Sequence, residues 1–511
     1  MTPLPLAACL LIVILGGLPI LARADATVWF ENSTTKVFRD DPPGETKVAR
    51  LTSAANEVES VQIVVRAHEG PLRNVMVRVS DLVRDKGARI PADAVELFRV
   101  AYVHLPAHSR DFPDALPPWT GCDIAAGENQ PVWADIHIPA DTPPGAYRAT
   151  VTVQADGVPA EALALELTVW SFALPETPRS RSAFGLHGQP VAQQHGVEVG
   201  SPAYDSLMDK YRELLVAHRA MPTSPGRPLE SDETARYLDD PRVCAFSLPY
   251  SDDDAMLKRQ AAYVRAKGWI DKAFFYVVDE PWNKGHYDLL RERAAKIHAA
   301  DPDLKIVTPY FREPDFAADG GVHGLLTGIC GIWCPKVSFY RESFLTQRQE
   351  LGEEVWWYVC WEPGAPYANL YVDMAGIDHR ALFWQQAHYG VEGFLYWSTT
   401  WWQPTTGTAD PWTDMATVKD LSPTVYGDGS LLYPGSKVGV DGPVASIRLK
   451  LIREGLEDVE YLRLLEDREG RAGVRTVTGQ VVQGLDAYSK DVDQYLALRE
   501  AVGRRLSAAA Q

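Results

Sequence analysis

Lys272-Ala273-Phe274-Phe275-Tyr276-Val277-Val278-Asp279-Glu280-Pro281-Trp282 carries the strongest structural signal in the chain. Phe274 to Val278 are five consecutive large apolar residues, aromatic or β-branched, the pattern of a strand buried on both faces at the centre of a parallel sheet. Asp and Glu are poor strand formers and Pro281 has no N–H to offer a ladder, so the two acids fall where the strand stops. In a parallel barrel that carboxyl end is the catalytic face. Two considerations stand against this reading. Asp-Glu-Pro also suits a solvated turn that opens the next helix. Successive side chains of a regular strand point to opposite faces, so adjacent acids share a site only where the strand end twists or bulges.

On both sides of it, short apolar strands alternate with helical stretches. Strands are expected near 183–188, 219–225, 243–249, 273–280, 305–311, 328–335, 354–361 and 393–399, with helices near 203–218, 253–267, 284–300, 340–351 and 375–389. Eight β/α repeats over some 240 residues is the arithmetic of a (β/α)8 TIM-like barrel, with Asp279 and Glu280 ending its fourth strand. Polar and aromatic residues gather at the expected carboxyl ends: His187, Tyr310, Trp333, Trp361 with Glu362, and Trp397. The following loops add Tyr367, Asn369, Trp401, Trp402 and Asp410. Each alone fits packing or loop polarity. Their convergence on one end points to a site, because residues that only stabilise a barrel have no reason to favour its top.

In front of the barrel, Val61–Val65, Val75–Val79, Val132–Ile138 and Ala149–Val153 alternate like half-buried strands, and Pro143-Pro144-Gly145 supplies a turn. Residues 25–174 therefore read as an antiparallel β-sandwich, with His104 and His108 flanking a loop able to reach a neighbouring cleft. The proline-bearing segment 175–182 reads as a linker, and 183–470 as the barrel domain. Near its end Ile452, Leu456, Val459, Leu462 and Leu465 keep helical spacing, with Arg453 and Glu457 as an i,i+4 ion pair on a helix packed on the barrel. Residues 471–511 form a helical tail.

Residues 4–22 are an apolar run ending in Ala22-Arg23-Ala24, so 1–24 reads as a signal peptide and the mature chain as secreted or periplasmic from near Asp25. A membrane-anchored form stays open: the run is just long enough to be an uncleaved anchor, and no other segment is long enough to span a membrane. Without those residues 49 bases face 68 acids, a net charge near −19. Such a surface repels nucleic acid and anionic lipid. Five widely spaced cysteines remain, an odd number that implies no disulfide framework. Cys330 and Cys334 lie in an apolar run without a partner pair at zinc spacing and read as buried thiols. Fifteen Trp and 21 Tyr crowd the second half, where aromatic faces suit carbohydrate CH surfaces as well as core packing.

The chain resembles glycoside hydrolase family 123, the bacterial β-N-acetylgalactosaminidases. The likeness rests on Tyr276-Val277-Val278-Asp279-Glu280-Pro281, on Trp356-Trp357-Tyr358-Val359-Cys360-Trp361-Glu362-Pro363 with Pro366-Tyr367-Ala368-Asn369, and on Gly393-Phe394-Leu395-Tyr396-Trp397-Ser398. It continues through Asp410-Pro411-Trp412, Gly427-Asp428-Gly429 to Tyr433-Pro434-Gly435, and Ser446-Ile447-Arg448-Leu449 leading to Arg453-Glu454-Gly455-Leu456-Glu457-Asp458. The resemblance implies a glycan substrate and a retaining hydrolysis in which the substrate's 2-acetamido group is the nucleophile, outside the two-carboxylate scheme. It makes Glu280 the acid/base, its proton held by the neighbouring charge, and Asp279 the group that orients the acetamide and stabilises the oxazolinium ion. Neither role needs a metal or organic cofactor. Tyr367 is then expected to touch the acetamide, Trp361, Trp397 and Trp401 to wall the sugar pocket, and Asn369, Asp410, His187 and Tyr310 to contact the sugar.

Two other readings keep the barrel. A glycosidase for a sugar without an acetamide needs a second carboxylate about 5 Å from the acid, which Glu362 is placed to supply. A glycan-binding surface protein needs the fold but no turnover, since fold alone does not fix function.

Overall fold

The computed structural model describes residues 25–508 except 86, 318–319, 403–409 and 419–421. The expected signal segment 1–24 lies outside the described residues. Among them, no helix is long and apolar enough to cross a membrane.

Seven parallel strands follow one another around the barrel: Arg181–Phe184, Gly393–Tyr396, Glu354–Tyr358, Ile332–Pro335, Lys305–Tyr310, Ala273–Tyr276 and Phe246–Leu248. Their alternation explains the continuous apolar runs. Phe274, Val307, Ile332, Trp356 and Leu395 fill the interior, while their neighbours Phe275, Ile306, Trp333, Trp357 and Phe394 meet the surrounding helices. Full burial of each such side chain contributes on the order of 2 kcal/mol.

The structure corrects the eight-stranded expectation. No strand forms at 219–225; Pro222 makes one bridge to Phe184. The segment still spans the gap. Phe184 N–H donates to the Met221 carbonyl (2.7 Å), Thr223 N–H to Phe184 (2.9 Å) and Ser247 N–H to Thr223 (2.7 Å). Pro222 has no N–H, and Pro225 and Pro228 follow closely, so the ladder cannot extend. The result is a nearly closed seven-stranded barrel. The helices fall where the periodicity put them, among them Pro202–Ala217, Asp254–Ala266, Lys284–Ala300, Glu342–Glu350 and Gly376–Tyr389.

The N-terminal part is β-rich. One sheet orders Ala26–Asn32, Glu57–Ala67, Asn129–Ile138 and Val95–Arg99, all antiparallel. The facing sheet runs Cys122–Ile124, Leu72–Val79, Gly145–Ala155, Val158–Ala173, Val48–Ala55, with two short strands at its side. A second correction enters here: Val48–Ala55 and Val158–Ala173 pair in parallel. No hairpin joins them, so nothing imposes the opposite direction. This part is also not sealed at 174. Arg110–Leu116 pairs with Pro443–Ser446 in a sheet shared with the C-terminal part.

The helix Ile447–Thr478, broken at Gly470, binds the two halves together. One face meets the barrel helix Gly376–Tyr389, where Arg380 pairs with Asp458 (2.6 Å) and Glu454 (2.8 Å). The other meets the sandwich: Asp135 accepts from Arg453 (2.9 Å) and Lys450 (2.7 Å). All these charges are buried. Burial alone would lift the Asp135 carboxyl, but Arg453 and Lys450 hold it well below the usual carboxylate range. The expected Arg453–Glu457 pair is present at 3.9 Å. The tail helix Val492–Ala508 returns to the sandwich, where Arg499 pairs with Glu57 and donates to Thr52 O (2.8 Å).

Candidate active site

The third barrel strand ends at Tyr276, and the chain bends before Pro281. Glu280 takes φ +40°, a left-handed conformation that costs a residue with a side chain about 1–3 kcal/mol. That bend meets the objection from strand alternation. The Tyr276 hydroxyl donates to Asp279 Oδ1 (2.7 Å) and the Tyr358 hydroxyl donates to Glu280 Oε1, and both tyrosines belong to the barrel interior. The two acids therefore sit over the same opening. Asp279 is exposed and Glu280 half-buried.

Burial pushes the Glu280 carboxyl up. The Tyr358 hydroxyl opposes this by stabilising the carboxylate; the Asp279 charge adds to the rise, the Lys336 ammonium opposes it, and Glu362 adds a smaller rise. The net direction is upward, which favours a carboxyl that keeps its proton toward neutral pH. Lys336 follows the strand Ile332–Pro335, is only 7% exposed, and pairs with Glu362 at 2.9 Å. Glu362 is thus the exposed end of an ion pair anchored inside the barrel mouth.

A second group forms on the side of the strands Gly393–Tyr396 and Arg181–Phe184. Trp397 and Trp401 lie with ring centroids 5.2 Å apart, and the His187 ring meets Trp401 edge-on at 5.5 Å. Burial lowers the His187 pKa, keeping the imidazole neutral. The Trp397 indole N–H donates to both oxygens of Asp428 (3.1 Å each), and the Tyr396 hydroxyl to one of them (3.1 Å). Asp428 is fully buried, and burial raises its pKa to about 6 against the pull of those donors. Gly427 and Gly429 take φ +77° and +70°. A Cβ at Gly429 would lie 2.3 Å from the Trp397 ring, so this turn requires glycine. Arg448 holds the turn from below, donating to Gly427 O (2.7 Å) while paired with Asp114 of the sandwich (2.8 Å). The N-terminal part thus supports Trp397 through Arg448 and Asp428.

The structure brings Asp279, Glu280, Trp397, Trp401 and His187 to the barrel mouth, with Trp361 exposed and Tyr367 half-buried in the loop after Glu354–Tyr358. Two expected sugar contacts are corrected. Asn369 is fully buried, its amide donating to Cys360 O (2.8 Å) and Pro363 O (2.9 Å), so it braces that loop. Tyr310 is 1% exposed and packs edge-on against His323, Trp333 and Phe339 outside the barrel interior. Asp410, half-buried, accepts from Trp412 N–H (3.1 Å) and pairs with the exposed Lys437 (3.3 Å). Of the loop histidines, His108 reaches Asp373 (2.9 Å), while His104 meets Asp111 on the neighbouring strand (2.9 Å). Cys330 and Cys334 are buried free thiols. Sequence reasoning missed Tyr276, Tyr358, Lys336 and Asp428.

Residues 246–465 match the family described as glycoside hydrolase 123, catalytic domain, and residues 33–155 match the glycoside hydrolase 123 N-terminal domain. The chain belongs to glycoside hydrolase family 123. This family 123 member is accordingly a glycoside hydrolase. None of the curated proteins matches it in sequence. Among solved structures it is similar to a family 123 glycoside hydrolase from Clostridium perfringens whose structural analysis concerned glycolipid glycan hydrolysis. The two share 14% identity at a TM-score of 0.71, over 95% of this chain and 98% of that one. A β-D-glucuronidase from Dictyoglomus thermophilum (11% identity, TM-score 0.32, 84% and 68% covered) and a family 39 glycoside hydrolase from Bacteroides cellulosilyticus (10%, 0.32, 80% and 81%) agree far less closely.

Proposed function

We propose that this family 123 hydrolase removes β-linked N-acetylgalactosamine from a glycolipid or glycoprotein glycan with retention of configuration, using the substrate's own 2-acetamido oxygen as the nucleophile. The observation that carries the reading is the paired acids at the end of Ala273–Tyr276: Glu280 half-buried with its carboxyl pushed up, Asp279 open to a ligand and held by Tyr276. In the first step the acetamide oxygen attacks C1 while Glu280 gives its proton to the departing glycosidic oxygen. The resulting oxazolinium ion is positive, and the Asp279 carboxylate accepts its N–H and offsets its charge. Glu280, now ionised, takes a proton from water, which attacks C1 from the face the leaving group vacated. Two displacements leave the configuration unchanged.

Trp397 and Trp401 suit the apolar face of the sugar ring, with His187, Trp361 and Tyr367 around them. The glycolipid or glycoprotein substrate class draws support from the Clostridium perfringens relative, and export of the protein from residues 1–24 fits such a substrate. The test is release of 4-nitrophenol from its β-N-acetylgalactosaminide and β-N-acetylglucosaminide by the wild type and by Glu280→Gln. The reading expects turnover of the galacto compound that collapses in the variant. A folded wild type that turns over neither compound overturns it.

A further inference from the structure

Trp282 and Phe316 are among the large apolar side chains left exposed, at 51% and 39%. Trp282 follows Glu280 by two residues, and Phe316 lies in the loop after Lys305–Tyr310. That strand pairs in parallel with Ala273–Tyr276, which leads into the acids, so both aromatic side chains stand on loops at the carboxyl end of the barrel. Around the ring, Ile332–Pro335 and Glu354–Tyr358 separate this strand pair from Gly393–Tyr396 on one side; Phe246–Leu248, the 219–225 segment and Arg181–Phe184 do so on the other. The patch therefore rises from the opposite side of the barrel to the strand that leads into Trp397.

Arg312 ties this patch to the acids. Its guanidinium lies 5.7 Å from the centre of the Trp282 ring and 5.5 Å from that of Phe311. The Lys336 ammonium, whose charge acts on Glu280, lies 4.9 Å over the same Phe311 ring. Lys336 is engaged by Glu362 (2.9 Å), and the carboxylate of the neighbouring Glu313 accepts from Val322 N–H (2.7 Å). Arg312 itself is exposed, and among the described residues its side chain has no carboxylate partner and no hydrogen-bond acceptor. A cation–π contact holds the guanidinium without using its N–H donors, so its planar fork stays open to an anion.

We propose that Trp282 and Arg312 receive the sugar on the leaving side of the scissile bond, and that the enzyme prefers a glycan in which this sugar is anionic. Trp282 covers the CH face of that sugar, and Arg312 pairs with its acidic substituent. The proposal rests on the proposed acid role of Glu280: the oxygen it protonates belongs to the leaving sugar, which must lie beside the acids. The carboxylate of a uronic acid and a sulfate ester share the required chemistry, two anionic oxygens spaced for a bidentate guanidinium contact.

The experiment compares the methyl glycosides of three disaccharides, in which N-acetylgalactosamine is β-1,4-linked to glucose, to glucuronate or to glucose 6-sulfate. The leaving oxygen is O4 in each, so ratios of kcat/KM report recognition of the charge. At least one anionic compound is expected to exceed the neutral one by about tenfold, the size of a charge-assisted hydrogen bond partly screened by water. A gain with glucuronate alone identifies a carboxylate, with the sulfate alone a sulfate ester, and with both a contact that reads charge; each supports the proposal. The ratio should fall to about one in Arg312→Gln, recover in part in Arg312→Lys, and shrink in high salt. Trp282→Ala should lower kcat/KM for all three disaccharides by about fivefold relative to methyl β-N-acetylgalactosaminide, which has no leaving sugar. Equal kcat/KM for the three in the wild type, a preference for the neutral compound, or an anionic preference that survives Arg312→Gln overturns the proposal. Calorimetric binding of the same compounds keeps the tests separate. No turnover of any compound, with the Arg312-dependent preference intact in binding, refutes the hydrolytic reading alone, while turnover without the preference refutes the subsite alone.

Discussion

Tyr358→Phe removes the hydroxyl that donates to Glu280 Oε1 and leaves the ring in place. That hydroxyl stabilises the carboxylate, so its loss raises a pKa that burial has already lifted. A hydrogen bond to a charged group is worth about 1.5–3 kcal/mol, and one pKa unit corresponds to about 1.4 kcal/mol. Glu280 is only half-buried and water can partly replace the hydroxyl, so the lower end applies, about one unit. The protonated acid then persists to higher pH, and the alkaline limb of the kcat/KM profile should move up by that amount. Stability follows the same sign. A carboxyl whose folded pKa lies above its unfolded value stabilises the fold most at low pH, and the contribution falls as pH rises from the unfolded toward the folded value. Raising the folded value widens this window, so the variant should lose stability relative to the wild type above neutral pH. The assays are pH–rate profiles with the 4-nitrophenyl substrate and urea denaturation at pH 4 and 8. An alkaline limb that stays fixed or moves down refutes the coupling between Tyr358 and Glu280.

Glu362→Gln should keep activity within about tenfold, since its carboxylate only pairs with Lys336 and modestly raises Glu280; a loss of about a thousandfold or more, of the size seen for nucleophiles, would assign it that role instead. Gly429→Ala forces a Cβ toward the Trp397 ring at a positive φ, and should cost about 1–3 kcal/mol of stability and raise KM, as read by denaturation and by kinetics. Arg453→Met strips Asp135 of its bidentate partner and leaves Lys450 alone to balance a buried charge; a destabilisation of about 3–5 kcal/mol is expected in urea titrations.

The barrel was legible because its strands are buried on both faces, and a run such as Phe274 to Val278 admits few other folds. The acids were legible for the same reason, since they interrupt that run. The missing strand at 219–225 was legible only in part. Its apolar content suggested a strand, but Pro222 removes the donor a ladder needs. Asn369 and Tyr310 misled because nearness to a strand end does not give side-chain direction: Tyr310 turns toward the helices and Asn369 into its own loop. Tyr276 and Tyr358 lay in quoted motifs, yet only the three-dimensional closure shows their hydroxyls on the acids. Asp428 stood between Gly427 and Gly429, and that glycine pair was the available signal. Lys336 follows Pro335 with no pattern around it. Its importance arises from a partner 26 residues away, which no spacing rule reaches.

In the proposed reaction the substrate's acetamide oxygen attacks C1 while Glu280 supplies the proton. The most direct measurement is kcat/KM for 4-nitrophenyl β-galactosaminides carrying acetyl, fluoroacetyl, difluoroacetyl and trifluoroacetyl groups on the 2-nitrogen. Each fluorine withdraws electrons from the carbonyl oxygen, so the account predicts a steep, progressive fall in rate. A rate indifferent to fluorination would show that the acetamide does not attack, and would return the nucleophile to a protein carboxylate.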